Sequence, residues 1–271
     1  IVHICDLKQL HLLVKEIDEN LLKLADKFWP GPLTIVTEKD KNVSDLVTAS
    51  LPTVAIRMPR HPAALELIKK AGTPIAAPSA NKFGLLSPTN AKHVLKQLKN
   101  IDFILDNGNT EVGIESTVIA LNKEGFKLLR PGVITMQELT NILHNNNSEF
   151  FIPTSGLQSP GLLKSHYSPK IPLYIAGEHQ LNTINKKTGR LTFGANKRKN
   201  DDYAVENLSS TGNLKEAATN LYHALHKLEE SGVEIIIAEP VPESGIGVAI
   251  MDRLRKAAAK KEKTAEIPEV G

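Results

Sequence analysis

Short runs of β-branched and aromatic residues alternate along this chain with stretches whose apolar residues recur every third or fourth position, and that alternation admits few architectures. Runs of the first kind cover 33–37, 54–57, 73–77, 103–105, 117–121 and 126–129 and predict strands. Stretches of the second kind cover 20–28, 62–71, 88–98 and 136–143 and predict helices. Such elements bury their apolar faces by stacking helices on a sheet, so the chain is expected to be α/β. Between 145 and 169 the periodicity fails, and Asn145, Asn146 and Asn147 with Pro153, Pro160 and Pro169 read as a turn-rich connection. The alternation then resumes. Strand signals at 171–175, 190–193 and 233–238 frame an amphipathic stretch over 213–230, with Leu214, Ala218, Leu221, Leu225 and Leu228 on one face. The expected organisation is a first domain over 1–144, a linker over 145–170 and a second α/β domain over 171–271.

Composition narrows the setting. A chain of 271 residues can bury two cores, and 41% hydrophobic with 23% charged residues is globular in character. A net charge of +3 predicts no partner by itself. Cys5 is the single cysteine, which excludes an internal disulfide and a cysteine-rich metal cluster and points to the reducing cytoplasm. No metal site is expected. No apolar run approaches a membrane span, and the amino terminus lacks the pattern of a secretory signal. The opening Ile1-Val2-His3-Ile4 reads as the edge of a strand without an initiator methionine, so the first domain is expected to lack its amino-terminal part. The basic runs over 196–200 and 253–263 read as solvated surface or helix ends.

The richest chemistry lies in Ala77-Pro78-Ser79-Ala80-Asn81-Lys82-Phe83-Gly84, followed by Ser87-Pro88-Thr89. At the carboxyl end of a strand in an α/β sheet, backbone N–H groups and short polar side chains converge on the crevice that binds ligands. Ser87 is expected to cap the following helix, with Pro88 in its first turn, so that the helix N-terminus favours an anion such as phosphate. The same residue types also build ordinary strand-to-helix turns, and the loop alone does not separate the two readings.

Five segments stand in order in the first half: Phe28-Trp29-Pro30-Gly31-Pro32-Leu33-Thr34, Val54-Ala55-Ile56-Arg57-Met58-Pro59, Ala77-Pro78-Ser79-Ala80-Asn81, Gly113-Ile114-Glu115-Ser116-Thr117-Val118 and Leu129-Arg130-Pro131-Gly132. Together they resemble the YrdC-like family of threonylcarbamoyl-AMP synthases. Ser159-Pro160-Gly161 to His166-Tyr167-Ser168-Pro169, with Gly245-Ile246-Gly247-Val248-Ala249-Ile250-Met251-Asp252-Arg253-Leu254, resembles its long form. The resemblance implies a twisted mixed sheet with flanking helices, plus a smaller carboxyl-terminal Rossmann-like domain. The implied reaction joins L-threonine, bicarbonate or carbon dioxide, and ATP into threonylcarbamoyl-adenylate and pyrophosphate, for threonylcarbamoyladenosine modification of tRNA. Two departures stand out. The family's Lys-x-Arg motif, which precedes the strand seen here as 1–4, is absent from the sequence, and Asn107 stands in Asp106-Asn107-Gly108 where members often carry a second glycine.

Site residues follow from the resemblance, motif by motif. Arg57 is expected to grip the threonine carboxylate as a fork, with Ala77 by its backbone and Ser116 beside it. Thr53, Ser79, Asn81, Ser87 and Arg130 are expected on ATP, and His166 on the nucleotide from a linker that folds back as a lid. Tyr167 and His166 equally suit domain packing. Glu115 is expected to orient Arg57 or Arg130. Chemistry of this type needs positioning and charge neutralisation, not a protein nucleophile, and Mg2+ is expected with ATP only. A tRNA-modifying transferase complex is the expected acceptor of the product. The alternatives are an inactive fragment without the Lys-x-Arg motif, or a non-catalytic relative that holds double-stranded RNA or tRNA along Lys69, Lys70, Lys82, Lys92, Lys96 and Lys99. A carbamoyl-transfer domain of a hydrogenase-maturation protein is disfavoured, since its zinc-finger and kinase-like regions are absent from the sequence.

Overall fold

The computed structural model of the chain describes residues 1–122, 125–143, 167–178, 186–195 and 202–259, which form two sheets. The first contains β1 (Val2–His3), β2 (Leu33–Glu38), β3 (Thr53–Arg57), β4 (Ile75–Ala76), β5 (Thr117–Asn122) and β6 (Gly125–Arg130), in the order β4-β1-β3-β2-β5-β6. It is mixed. β1 runs parallel to β3 and β2 parallel to β5, while the β1/β4, β2/β3 and β5/β6 pairs are antiparallel. Helices α1 (Glu19–Phe28), α2 (Asp45–Thr48), α3 (Pro62–Ala71), α4 (Ala91–Gln97) and α5 (Met136–Leu143) accompany it. α1 shows why such segments form. The Asp18 carboxylate accepts the Leu21 N–H at 2.8 Å as an N-cap, and Leu21, Leu24 and Ala25 then fall on one face and are buried.

The second sheet is fully parallel, in the order β7-β10-β8-β9, from β7 (Leu173–Ile175), β8 (Thr188–Thr192), β9 (Ala204–Asn207) and β10 (Ile235–Ala238). Helices α6 (Leu214–Glu230) and α7 (Gly247–Ala258) accompany it. The mixed twisted sheet and the smaller α/β unit are thus as expected. The core of the second unit includes Leu86 and Ile114 from the first, packed with Leu221, Leu225, Ile250 and Leu254. The two units therefore share apolar interior.

Three local expectations are corrected. Residues 103–105 form no strand: Phe103 is 94% exposed, since β-propensity makes a strand only where a neighbour completes the ladder. α4 begins at Ala91 and not at 88, with Asn90 as its cap: the Asn90 side chain accepts the His93 N–H at 3.0 Å, so Ser87 caps no helix. The strand signal at 1–4 corresponds to β1, which lies inside the sheet between β4 and β3. Arg253, in a run expected to be solvated surface or a helix end, lies in α7 but is 1% exposed. The connection expected over 145–170 falls mostly outside the described residues.

Where α4 meets α6, the His93 and His226 rings stack with centroids 3.8 Å apart. His226 Nε2–H donates to the Ser87 carbonyl at 3.1 Å, and His93 Nδ1 accepts the Thr89 N–H at 3.3 Å. Burial pushes the His93 pKa down to about 4, helped by His226, His223 and Lys96 and opposed by Glu230. Burial lowers His226 as well, against the Ser87 carbonyl and the Glu229 and Glu230 carboxylates. Because folding depresses these pKa values, the unfolded chain takes up the protons first as pH falls below about 6.5. Stability is therefore expected to be complete above that pH and to drain away toward about 4. Urea midpoints recorded at about pH 7 and about pH 5 check this: the midpoint falls in the parent and falls less in His93→Phe.

Candidate active site

The turn Trp29-Pro30-Gly31-Pro32 contains a cis bond before Pro30 and brings Gly31 against β3. The Gly31 N–H donates to the Met58 carbonyl at 2.8 Å, and its own carbonyl accepts Arg57 Nε–H at 3.0 Å. A side chain at Gly31 would place Cβ 2.2 Å from the Phe28 carbonyl oxygen, so the approach admits only glycine. The Arg57 guanidinium is thereby pinned at the end of its strand. Among the described residues its terminal nitrogens take no protein acceptor.

Arg57 lines a cleft of about 400 Å³ together with Gly31, Pro32, Pro59, Ser79, Ala80, Ser87, Pro88, residues 110–115 and Tyr222 of α6. Arg60 and Glu111 form an ion pair among the lining residues. Arg130, the last residue of β6, is buried and outside the lining. Its Nε–H donates to the Ser116 carbonyl at 3.1 Å and a terminal nitrogen to Ser116 Oγ at 3.0 Å, while that hydroxyl also bonds Thr34 Oγ1 at 2.7 Å. Burial, and then the neighbouring charge of Arg130, lower the Arg57 pKa to about 10, which leaves it cationic at neutral pH. The Arg130 charge bears on Arg57, and an anion in the cleft beside Arg57 eases that repulsion. His3 of β1 lies in register with Arg57, and burial followed by the Arg57 charge brings its ring down to about 4 and so keeps it neutral.

Of the residues expected from the sequence, Arg57, Ser79 and Ser87 line the cleft, and Arg130 and Ser116 stand together next to it. Asn81 is not in the lining: its Nδ2 donates to the Lys82 and Leu85 carbonyls at 3.0 and 3.1 Å and closes the loop. Ala77 donates its N–H to the Ile1 carbonyl at 3.1 Å, also off the lining. Thr53 opens β3 in register with Glu38, four residues and roughly 13 Å of strand from Arg57, and does not reach the cleft. His166 lies outside the described residues. Its neighbour Tyr167 is 2% exposed, in the core of the second unit.

Glu115 departs from expectation. It orients neither Arg57 nor Arg130 by a hydrogen bond, but accepts Ser87 Oγ–H at 2.5 Å, the Tyr222 hydroxyl at 3.1 Å and Arg253 Nε–H at 2.7 Å. Burial alone would raise its pKa, yet the charges of Arg253 and Arg130 and the bonds from Arg253 and Ser87 outweigh it and hold the carboxyl near about 2. Tyr222, Arg253 and His3 are the residues that reading the sequence missed. The signal for Arg253 was an Asp-Arg pair set inside the apolar run from Val248 to Leu254. The basic rim is weaker than expected, since Lys96 pairs with Glu229 and Glu230 and Lys70 with Glu66.

A mixed α/β sheet that ends one strand on a pinned arginine, with hydroxyls and a second arginine next to it, defines a small-molecule site for an anionic substrate. The sequence relationships agree. Residues 1–132 match the Sua5/YciO/YrdC family model, described as telomere recombination, and residues 134–259 match that of the threonylcarbamoyl-AMP synthase carboxyl-terminal domain. The chain belongs to the threonylcarbamoyl-AMP synthase family. It is 38% identical over 269 residues to the threonylcarbamoyl-AMP synthase of Pyrococcus abyssi, covering 95% of this chain and 79% of that one. With the Bacillus subtilis protein of the same name it shares 40% over 271 residues, covering 95% and 78%. Among solved structures, the crystal structure of P. abyssi Sua5 complexed with L-threonine superposes with a TM-score of 0.83 at 37% identity, over 95% of this chain and 79% of that one.

Proposed function

We propose that this protein is a threonylcarbamoyl-AMP synthase, a nucleotidyltransferase that makes the activated donor for threonylcarbamoyladenosine in tRNA. The observation that carries the reading is the half-buried Arg57 guanidinium on the wall of a cleft, pinned by Gly31 and within the electrostatic reach of the buried Arg130. The threonine amine captures carbon dioxide, derived from bicarbonate, as a carbamate. A carbamate oxygen attacks the α-phosphorus of ATP, the bond to the β-phosphate oxygen breaks, and pyrophosphate leaves. No protein nucleophile enters, so the residues position the reactants and neutralise charge.

In this reading Arg57 forks the threonine carboxylate and Ser116, braced by Thr34, borders the threonine. Arg130 adds its charge to the phosphate side from behind the cleft wall, and Ser79 and Ser87 meet the nucleotide from their loop. Magnesium enters as part of the ATP substrate. The division into a catalytic part over 1–144, a connection over 145–170 and a second part over 171–271 belongs to the same proposal, as does delivery to a tRNA-modifying transferase in the cytoplasm. Among the described residues no helix is long and apolar enough to cross a membrane. The test is to incubate the full-length protein with ATP, threonine and bicarbonate. Pyrophosphate and threonylcarbamoyl-adenylate are expected in equal amounts; pyrophosphate no higher than in a reaction without threonine would reject the reading.

A further inference from the structure

The Glu115 carboxylate has three hydrogen-bond donors, and two of them, Tyr222 and Arg253, come from the second unit. Arg253 is 1% exposed, so its charge has no water to rest in, and a further arm donates to the Pro131 carbonyl at 3.0 Å, one residue after Arg130. Two arginine charges thus act on one carboxylate, from Arg253 and from Arg130. Arg253 holds the short contact at 2.7 Å, while Arg130 is bonded to Ser116. Were Arg253 withdrawn, the half-buried Glu115 charge would be left to Arg130, the other guanidinium whose charge acts on it, because a carboxylate largely out of water must be paired. That guanidinium belongs to the pair on which the proposed function relies.

We infer that Arg253 is a positioning residue for the reaction: by engaging Glu115 from the second unit it fixes Ser87 at the cleft and keeps the Glu115 charge from cancelling that of Arg130 toward the anionic substrate. The inference rests on the reading above. It assigns the second unit a part in catalysis without placing any of its atoms on the reacting groups.

The experiment compares Arg253→Ala, Arg253→Lys and the double variant Arg253→Ala with Glu115→Gln, in the full-length protein, by Tm and by KM for ATP and kcat. Arg253→Ala is expected to raise KM for ATP by about tenfold or more, the scale of a lost charge-assisted contact. Arg253→Lys, which keeps the charge, and the double variant, which removes the carboxylate's charge, are both expected to return KM to within about threefold of the parent. If Arg253→Ala is too unstable to purify, Arg253→Gln keeps most of the stem and carries the same expectation. A KM for ATP unchanged in Arg253→Ala overturns the inference. So does a double variant whose Tm recovers while its KM stays high, for that pattern is packing alone. A parent that forms no adenylate rejects the function itself, whereas an active parent with indifferent variants rejects only the role of Arg253.

Discussion

Arg57→Ala is expected to lower kcat/KM for threonine by about 30- to 160-fold, the equivalent of about 2–3 kcal/mol for a lost charge-assisted contact. The expectation follows from how the side chain is held. Its Nε–H is spent on the Gly31 carbonyl, so rotation about the last bonds is already restricted before any ligand arrives. Little ordering entropy remains to be lost on binding, and the fork keeps most of its interaction strength. Arg57→Lys should recover less than half of the loss in free energy, because an ammonium can neither hold the Gly31 carbonyl nor present two parallel donors. Steady-state kinetics in threonine decide it, and a lysine variant equal to the parent would show that charge alone suffices.

Gly113→Ala is expected to destabilise the protein by about 3–5 kcal/mol, adding overpacking to the cost of a left-handed backbone. Gly113 has φ 77°, and a Cβ there would lie 2.2 Å from the Thr219 carbonyl oxygen and 2.5 Å from that of Ala218. These acceptors are backbone of α6 and cannot step aside. Gly108 supplies the control, with φ 85° and nothing within 4 Å of a built Cβ, so alanine there bears the backbone cost alone. Thermal unfolding of both variants separates the two contributions. Gly113→Ala should lose roughly 6–20 °C in Tm and Gly108→Ala only a few degrees. Equal losses would mean that α6 does not press on the loop that leads to Glu115.

The elements most legible in the sequence were those whose pattern and burial agree. β2, β5 and β6 carry β-branched or aromatic residues that end up in the core, and α6 shows its buried stripe at helical spacing. The misses have local causes. Ala204–Asn207 pairs with β8 yet all four residues are half-buried and two are polar, so no apolar alternation marked the strand. α7 opens at Gly247 with no side-chain cap, which hid its start. At the site, Arg57 was legible only through the family motif that carries it, since an arginine ending a strand ordinarily reads as a surface ion-pair residue. The partner of Glu115 was not, since Arg253 lies 138 residues away and only the folded chain brings the two together.

The apolar interior shared by the two units bears on how the chain melts. Leu86 and Ile114 lie in one cluster with Leu221, Leu225 and Leu254, while Tyr222 and Arg253 hold the carboxylate beside Ile114. Neither sheet can lose its partner without wetting that cluster and stranding a buried charge. Their unfolding free energies are consequently coupled, and calorimetry should record a single cooperative transition in place of one for each sheet.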